Sequence, residues 1–155
     1  MFASGHFVIG LMERFAPRHL AVENDRIGLQ VGTLGKEIRK ALVALDVTDA
    51  VVDEAIAAGA DLIIAHHAII YHPLKAIDTS TPAGRVFEKL IKNDIAVYVA
   101  HTNLDVAEGG MNDWMAECLG IESEGCLEPV HVDPLLKLVV YVPETRWPDW
   151  SQILG

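Results

Sequence analysis

Two short apolar stretches of the chain both end in histidine, and this pattern constrains the fold more than any other feature. Residues 61–65 lead directly into His66 and His67, and residues 95–100 lead into His101. Continuous apolar runs of this length are typical of strands that are buried on both faces of a parallel sheet. Ligands bind at the carboxyl ends of such strands, so we expect the histidines at a functional edge.

Helical signals separate the apolar stretches. A helix over 49–58 is predicted, with Thr48 as its N-cap and Gly59 after its last turn. A second helix, over 82–92, begins at a Thr-Pro pair and joins the two histidine-bearing strands. A right-handed crossover then makes those strands parallel neighbours with both tips on one edge. The sequence therefore predicts an α/β fold, a mostly parallel sheet flanked by helices, with a truncated C-terminal βα extension.

The rest of the chain carries further signals, of which the strand over 135–143 is a strong one. The predicted elements are a helix over 7–15, an alternating strand over 25–32, a more buried strand over 40–46, a helix from Gly109-Gly110 through 119, a strand over 135–143 and the start of a helix over 144–152. The last two would form a new βα unit with nothing visible to pack against. We therefore expect the chain to be a fragment of a longer protein.

Composition excludes several classes of protein. A length of 155 residues suits one main domain. The chain has 12 basic residues against 22 acidic ones, and this acidic excess argues against nucleic acid as the main partner because phosphate groups are bound by basic side chains. Because no apolar stretch reaches membrane-spanning length and the N-terminus lacks a cationic leader segment, neither a membrane span nor a signal peptide is predicted. Cys118 and Cys126 form neither a disulfide framework nor a zinc motif, and Cys118 is expected to be buried. This use of cysteine fits a protein of the reducing cytoplasm.

The histidine pair is the first candidate site. Neutral imidazoles together with a carboxylate are ligands for divalent Zn, Mn or Fe. Neighbouring side chains of a strand point to opposite faces, so His66 and His67 can share a site only if the backbone turns after Ala65. Each could then bind one of two ions about 3.5–4 Å apart. The alternative is a polar loop whose imidazoles only form hydrogen bonds.

Other polar residues follow the neighbouring strands. Asp105, on the loop after His101, could bridge two cations, or it could be a turn or capping residue. His101 is a ligand, a proton shuttle or a group that orients Asp105. Asp46 is expected to orient a ligand or to support the next helix, and Asn103 is expected to form a turn.

Other catalytic signatures are missing. There is no serine nucleophile elbow, and the stretch 32–36 is not a Walker motif. Gly109-Gly110 is only a weak signal for an anion site, and His72 and His131 are expected at the surface. Catalysis is therefore assigned to a metal-bound water, whose pKa the ion lowers toward about 7, with His101 as the candidate for moving the proton.

The motifs resemble those of the Nif-three-like family, whose members are called GTP cyclohydrolase 1 type 2 homologues. The resemblance rests on segments 15–22, 25–32, 61–67 and 100–105, followed by Gly109-Gly110 and Asn112, with Ala68 where a proline usually follows the histidine pair. It implies two divalent metal ions held by His66, His67 and Asp105, with His101 close by. It also implies ring-shaped oligomers, typically hexamers.

The resemblance also implies how the chain is divided. Family members complete the site with a His and a Glu from a C-terminal motif, which this chain is expected to lack. Residues 1–130 are expected to form the metal-binding α/β domain, and residues 131–155 the truncated start of an inserted PII/CutA-like domain.

Two functions follow from these expectations. The first is a divalent-metal-binding protein that acts as a dinuclear metal-dependent hydrolase. Its substrate is expected to be a small nucleotide-like or phosphorylated molecule. The fragment alone is expected to be inactive. The alternative is a non-catalytic, metal-stabilised regulatory or interaction module that forms rings.

Overall fold

Strands and helices alternate along the computed structural model, which describes residues 2–122, 125, 129, 132, 135–147, 149 and 150. The strands are β1 (Ala3–Ser4), β2 (Gly28–Val31), β3 (Glu37–Ile38), β4 (Ala41–Ala44), β5 (Leu62–Ala65) and β6 (Ala96–Val99). The helices are α1 (Gly5–Phe15), α2 (Asp49–Ala58), α3 (Pro82–Lys92), α4 (Thr102–Val106) and α5 (Met111–Leu119), with 3-10 helices at Arg18–Leu20 and Glu144–Arg146. None of the described helices is long and apolar enough to span a membrane.

Four strands form the central sheet, in the order β2-β6-β5-β4. Strands β4, β5 and β6 are parallel, and β2 runs antiparallel to β6 at one edge. Ala65 lies opposite Val99, so β5 and β6 end at the same level. The predicted α/β fold and the predicted pairing of the two histidine-bearing strands are therefore confirmed. The short antiparallel pair of β1 and β3 has no signal in the sequence pattern.

The predicted helix boundaries are confirmed where local capping signals define them. The hydroxyl oxygen of Thr48 accepts a hydrogen bond from the Val51 N–H at 3.3 Å, which fixes the start of α2. Gly59 ends this helix in the left-handed conformation, with φ of 65°, which glycine adopts without steric cost. Thr81 caps α3 in the same way as Thr48 caps α2.

The core lies on both faces of the sheet. Ile63 and Val97 belong to the apolar cluster that packs under α2 and α3. Leu62 and Tyr98, their neighbours along the strands, belong to the cluster beneath α1. Successive side chains of a strand alternate between faces, so β5 and β6 are buried on both sides, as continuous apolar runs predict.

Two predictions of burial are wrong. Strand β4 was expected to be more buried than β2, but both are edge strands, and Val43 of β4 is 79% exposed while Leu45, just after it, is 56% exposed. Cys118 was expected inside the core, but it is exposed, because α5 buries none of its residues. The local sequence pattern identifies an apolar stripe on a helix or strand, but the burial of that stripe depends on whether another element of the fold packs against it.

The C-terminal segment departs from its prediction. Residues 135–143 form no strand, because a strand needs a neighbour for its backbone hydrogen bonds and none of the described residues supplies one. Leu135 and Tyr141 are consequently almost fully exposed. The 3-10 helix Glu144–Arg146 begins where a helix was predicted. Gln152, the end of that predicted helix, lies outside the described residues, as do Cys126 and His131. The division at residue 130 stays a prediction.

Two valines in different strands of the sheet provide a matched test of the core. Val97 is 0% exposed in β6, whereas Val43 is 79% exposed in β4. We expect Val97→Ala to lower the free energy of unfolding by about 2–3 kcal/mol, because it removes two buried carbons and leaves a cavity. Val43→Ala should change it by less than about 0.5 kcal/mol. Urea denaturation measures both, and equal losses would contradict the assignment of β4 to the edge.

Asp61 anchors the opposite end of the sheet from the histidines. Its Oδ2 accepts hydrogen bonds from the backbone N–H groups of Arg39 at 2.7 Å and Lys40 at 3.1 Å. Burial raises the pKa of the Asp61 carboxyl, but these two hydrogen bonds and the charges of Arg39 and Lys36 together lower it by more, so the net pKa lies below 3.8.

The depressed pKa of Asp61 predicts how stability depends on pH. A carboxyl with a folded pKa below its unfolded value stabilises the fold above about pH 3.8, and this contribution is lost as the pH falls through the folded pKa. We therefore expect Asp61→Asn to be less stable than the parent chain at pH 7. The difference should shrink below pH 4. Denaturant titrations at several pH values measure it, and a constant difference would contradict the prediction.

Candidate metal centre

His66 and His67 lie where β5 ends and the chain turns. Their backbone N–H groups donate to the carbonyl oxygens of Ala44, at 3.1 Å, and Leu45, at 2.9 Å, so the parallel pairing with β4 continues into the histidine pair. The turn after Ala65 lets both side chains face one region, with ring centroids 5.0 Å apart. The condition for a shared site is therefore met.

His101 reaches the same region from the neighbouring strand. The Ala100 N–H donates to the carbonyl oxygen of Ala65 at 3.0 Å, which keeps the ends of β5 and β6 together. The ring centroid of His101 lies 4.9 Å from that of His66 and 5.7 Å from that of His67. One ligand nitrogen from each of the three imidazoles lies within 4.8 Å of the others.

The three imidazoles are oriented by oxygen acceptors. The Nδ1 atoms contact Ala100 O at 3.1 Å (His66), Asp46 Oδ1 at 2.8 Å (His67) and Asp25 Oδ1 at 3.0 Å (His101). Carbonyl and carboxylate oxygens accept hydrogen bonds, so each Nδ1 is assigned the proton and each Nε2 keeps a free lone pair. Neutral imidazoles with a bonded Nδ1–H are the usual form of metal-ligating histidine. The residues therefore fit a divalent cation.

Asp105 lies beside this cluster. It was expected on a loop, but it belongs to the short helix α4, because the N–H groups of Leu104 and Asp105 both bond to the carbonyl oxygen of His101. The Asp105 carboxylate oxygen lies 3.7 Å from Nε2 of His66, and its side chain is 29% exposed. The structure thus brings the three predicted histidines together and places Asp105 beside His66, outside the group of three, while the roles of all four as ligands stay predictions.

Asp25 was missed by sequence reasoning. It was assigned to the predicted strand 25–32, yet it precedes β2, and its side chain is 6% exposed. Its two carboxylate oxygens accept from the Nδ1–H of His101, from the N–H and hydroxyl of Thr102 and from the N–H of Arg26. Since Asp25 and His101 lie 76 residues apart, no local spacing could have revealed the contact.

The environment of Asp25 keeps it ionised at neutral pH. Burial raises the pKa of this carboxyl, but hydrogen bonds from Thr102, His101 and the Arg26 backbone outweigh that effect, and the net pKa lies below 3.8. The ionised form is the stronger acceptor for the Nδ1–H of His101.

The remaining candidates lie outside the cluster or have other partners. Asn103 was expected to form a turn, but it lies within the short helix α4 and is buried: its Oδ1 accepts from the His101 N–H at 2.9 Å and its Nδ2 donates to Ala16 O at 2.8 Å. The Gly109 N–H donates to the Asp113 carboxylate at 2.7 Å, so this weak anion-site candidate already has an internal acceptor. His72 is exposed, as predicted.

Two clefts of different character adjoin the histidines. A cavity of about 330 Å³ borders His66 and is otherwise apolar, with Met12, Ile64 and Leu104 in its wall. A second cavity of about 410 Å³ borders His101 and is more polar, with Arg26 among its lining residues. The cluster is thus accessible from two sides.

Sequence and structure comparisons identify the family. The profile of the Duf34/NIF3 (NGG1p interacting factor 3) family matches residues 4–152, and the chain belongs to this family. The chain is 51% identical over 153 residues to a GTP cyclohydrolase 1 type 2 homolog of Halalkalibacterium halodurans, covering 99% of this chain and 41% of that protein. It is 55% identical over 141 residues to the protein of the same name from Bacillus subtilis, covering 91% of this chain and 38% of that protein.

Solved structures show the same fold. A Bacillus cereus protein related to NIF3 superposes with a TM-score of 0.82 at 55% identity, covering 84% of this chain and 36% of that chain. Reduced HcgD from Methanocaldococcus jannaschii superposes with a TM-score of 0.73 at 38% identity, covering 79% of this chain and 49% of that chain. This chain therefore spans about two fifths of the length of the curated relatives described above.

Proposed function

We propose that the chain binds a divalent metal ion through the Nε2 atoms of His66, His67 and His101. The observation that carries this proposal is the engagement of all three Nδ1 atoms by oxygen acceptors, which leaves Nε2 free on three imidazoles whose candidate ligand nitrogens lie within 4.8 Å of one another. Three imidazoles are also the protein donor set of some catalytic zinc sites. The donor set is therefore compatible with chemistry at the ion.

A second ion is proposed at Asp105. Its carboxylate lies close enough to His66 to bridge from the three-imidazole site to a neighbouring cation. This chain offers the second ion fewer donors than the first, so we propose that the second ion binds more weakly. Zn, Mn and Fe are all compatible with nitrogen and carboxylate donors.

In the whole protein we propose a metal-dependent hydrolase that acts on a small nucleotide-like or phosphorylated substrate. The shared name of the relatives, GTP cyclohydrolase 1 type 2 homolog, supports hydrolysis of a nucleotide-like molecule. When bound, the ion supplies activation of water and polarisation of a substrate oxygen. His101 and His67 hold their Nε2 atoms toward the site, while Asp25 and Asp46 retain the Nδ1 protons.

The alternative function is a regulatory or interaction module that assembles into rings. An exposed apolar stripe on α1 favours it: Phe7, Leu11 and Phe15 lie at i, i+4 and i+8 and are 45–59% exposed. Apolar stripes of this kind often mark interaction surfaces. Light scattering on the purified chain measures its assembly, and a hexamer supports the ring.

Metal binding provides the direct test of the proposed site. We expect the chain to bind Zn²⁺ weakly, with His101→Ala lowering the affinity at least about tenfold, because it removes one of three nitrogen donors. His72→Ala is the matched control, since His72 is exposed and outside the cluster. Calorimetry measures both. Unchanged affinity in His101→Ala would make this residue a proton carrier and not a ligand, and tight binding of two ions would contradict the expected weakness.

Turnover distinguishes the enzyme from the module. We expect a full-length, metal-loaded relative to hydrolyse a member of a panel of nucleotides and phosphoesters, and the equivalent of Asp105→Ala to lower kcat at least about a hundredfold by weakening the metal site. The equivalent of Asp113→Ala is the control, since this carboxylate bonds to Gly109. Absence of turnover across the panel, with ring assembly intact, would favour the module.

A further inference from the structure

The candidate metal centre includes a carboxylate, Asp25, whose side chain is largely shielded from solvent although it lines the polar cleft beside His101. Asp25 is the least exposed of the three carboxylates near the histidines, at 6% against 29% for Asp105 and 55% for Asp46. Its only ion-pair partner among the described residues is His101. A buried carboxylate without a lysine or arginine partner is costly unless hydrogen bonds satisfy it, and here four donor groups do so.

The three imidazoles are held with unequal strength. His66 is oriented by a neutral carbonyl oxygen, and His67 by a carboxylate that is half exposed to water. His101 is oriented by the buried Asp25, where water competes least for the hydrogen bond. A carboxylate acceptor also makes the imidazole a more basic ligand than a carbonyl does. His101 is therefore the most firmly oriented donor of the site.

The same carboxylate also anchors the helix that carries Asp105. Oδ2 of Asp25 accepts from the Thr102 N–H at 3.2 Å and from the Thr102 hydroxyl, at the first residue of α4. The Thr102 hydroxyl oxygen in turn accepts from the Val22 N–H at 3.1 Å, which ties the segment before β2 to this point. Asp105 lies one turn further along α4. Asp25 thus contacts both His101 and the first residue of the helix that carries Asp105.

We propose that Asp25 is a positioning residue of the metal centre, which holds His101 in its Nδ1–H form and fixes the start of α4 so that His101 and Asp105 reach one ion. This inference rests on the proposed metal binding. In this proposal Asp25 is not a ligand of the ion; it acts through His101 and Thr102.

The test compares Asp25→Asn with Asp61→Asn in the full chain. Both carboxylates accept backbone N–H groups and have depressed pKa values, but Asp61 lies at the opposite end of the sheet. Competition with a chromogenic chelator measures Zn²⁺ affinity, and we expect a loss of roughly 10–100-fold in Asp25→Asn and none in Asp61→Asn. Asp25→Glu, which keeps the charge but moves the carboxylate, should also lose affinity, whereas a purely electrostatic role would preserve it.

A second readout does not depend on metal. Long-range ¹H–¹⁵N spectra of the metal-free chain report which imidazole nitrogen carries the proton. We expect His101 in the Nδ1–H form in the parent chain and in Asp61→Asn, and a shift toward the other tautomer in Asp25→Asn. A parent chain with His101 in the Nε2–H form overturns the proposal even if no variant folds.

The two readouts separate the possible failures. If the parent chain binds no Zn²⁺, the proposed metal function fails, and the tautomer spectra alone decide whether Asp25 orients His101. If the parent chain binds Zn²⁺ and Asp25→Asn binds it equally well, the positioning role is overturned while the metal site stands.

Discussion

The parallel pairing of β5 with β6 is the interaction on which the rest of the site depends. Their register places Ala65 opposite Val99, so the residues that follow each strand emerge at one level of one edge. The two faces of these strands pack against different helices, so a slip by one residue would exchange the side chains that fit α1 with those that fit α2 and α3. Two segments that are distant in sequence are thereby held within the reach of imidazole side chains.

A candidate metal site needs imidazoles that are oriented as well as close together. The oxygen acceptors at the three Nδ1 atoms supply this orientation. They come from three different places: the end of β6, the residue pair after β4 and the segment before β2. Each acceptor removes the rotational freedom of one ring and assigns its proton. The ligand nitrogens are therefore arranged before any ion arrives, and less ordering has to accompany binding.

The parts of this fold that follow from local chemistry are predictable, and the parts that depend on distant partners are not. Thr48 and Gly59 define α2 because capping needs only neighbouring backbone groups. By contrast, alternation in 25–32 suggests one continuous face, but a register shift between Leu29 and Val31 leaves Leu29 42% exposed and Val31 buried. The histidine pair was visible because it ends an apolar run. The role of Asp25 was not visible in the sequence, because its partner, His101, follows a different strand.

Charge explains why this edge of the sheet suits cations. Asp25, Asp46 and Asp105 lie beside three imidazoles that are assigned as neutral, so these six side chains carry three formal negative charges. If one divalent ion binds there, as proposed, this charge falls to −1, and a second proposed ion would reverse it to +1. On this count the metal-free site repels an anionic substrate, and the doubly occupied site attracts one. If the whole protein acts on phosphorylated molecules, as proposed, occupancy of the position beside Asp105 would then affect how tightly substrate binds.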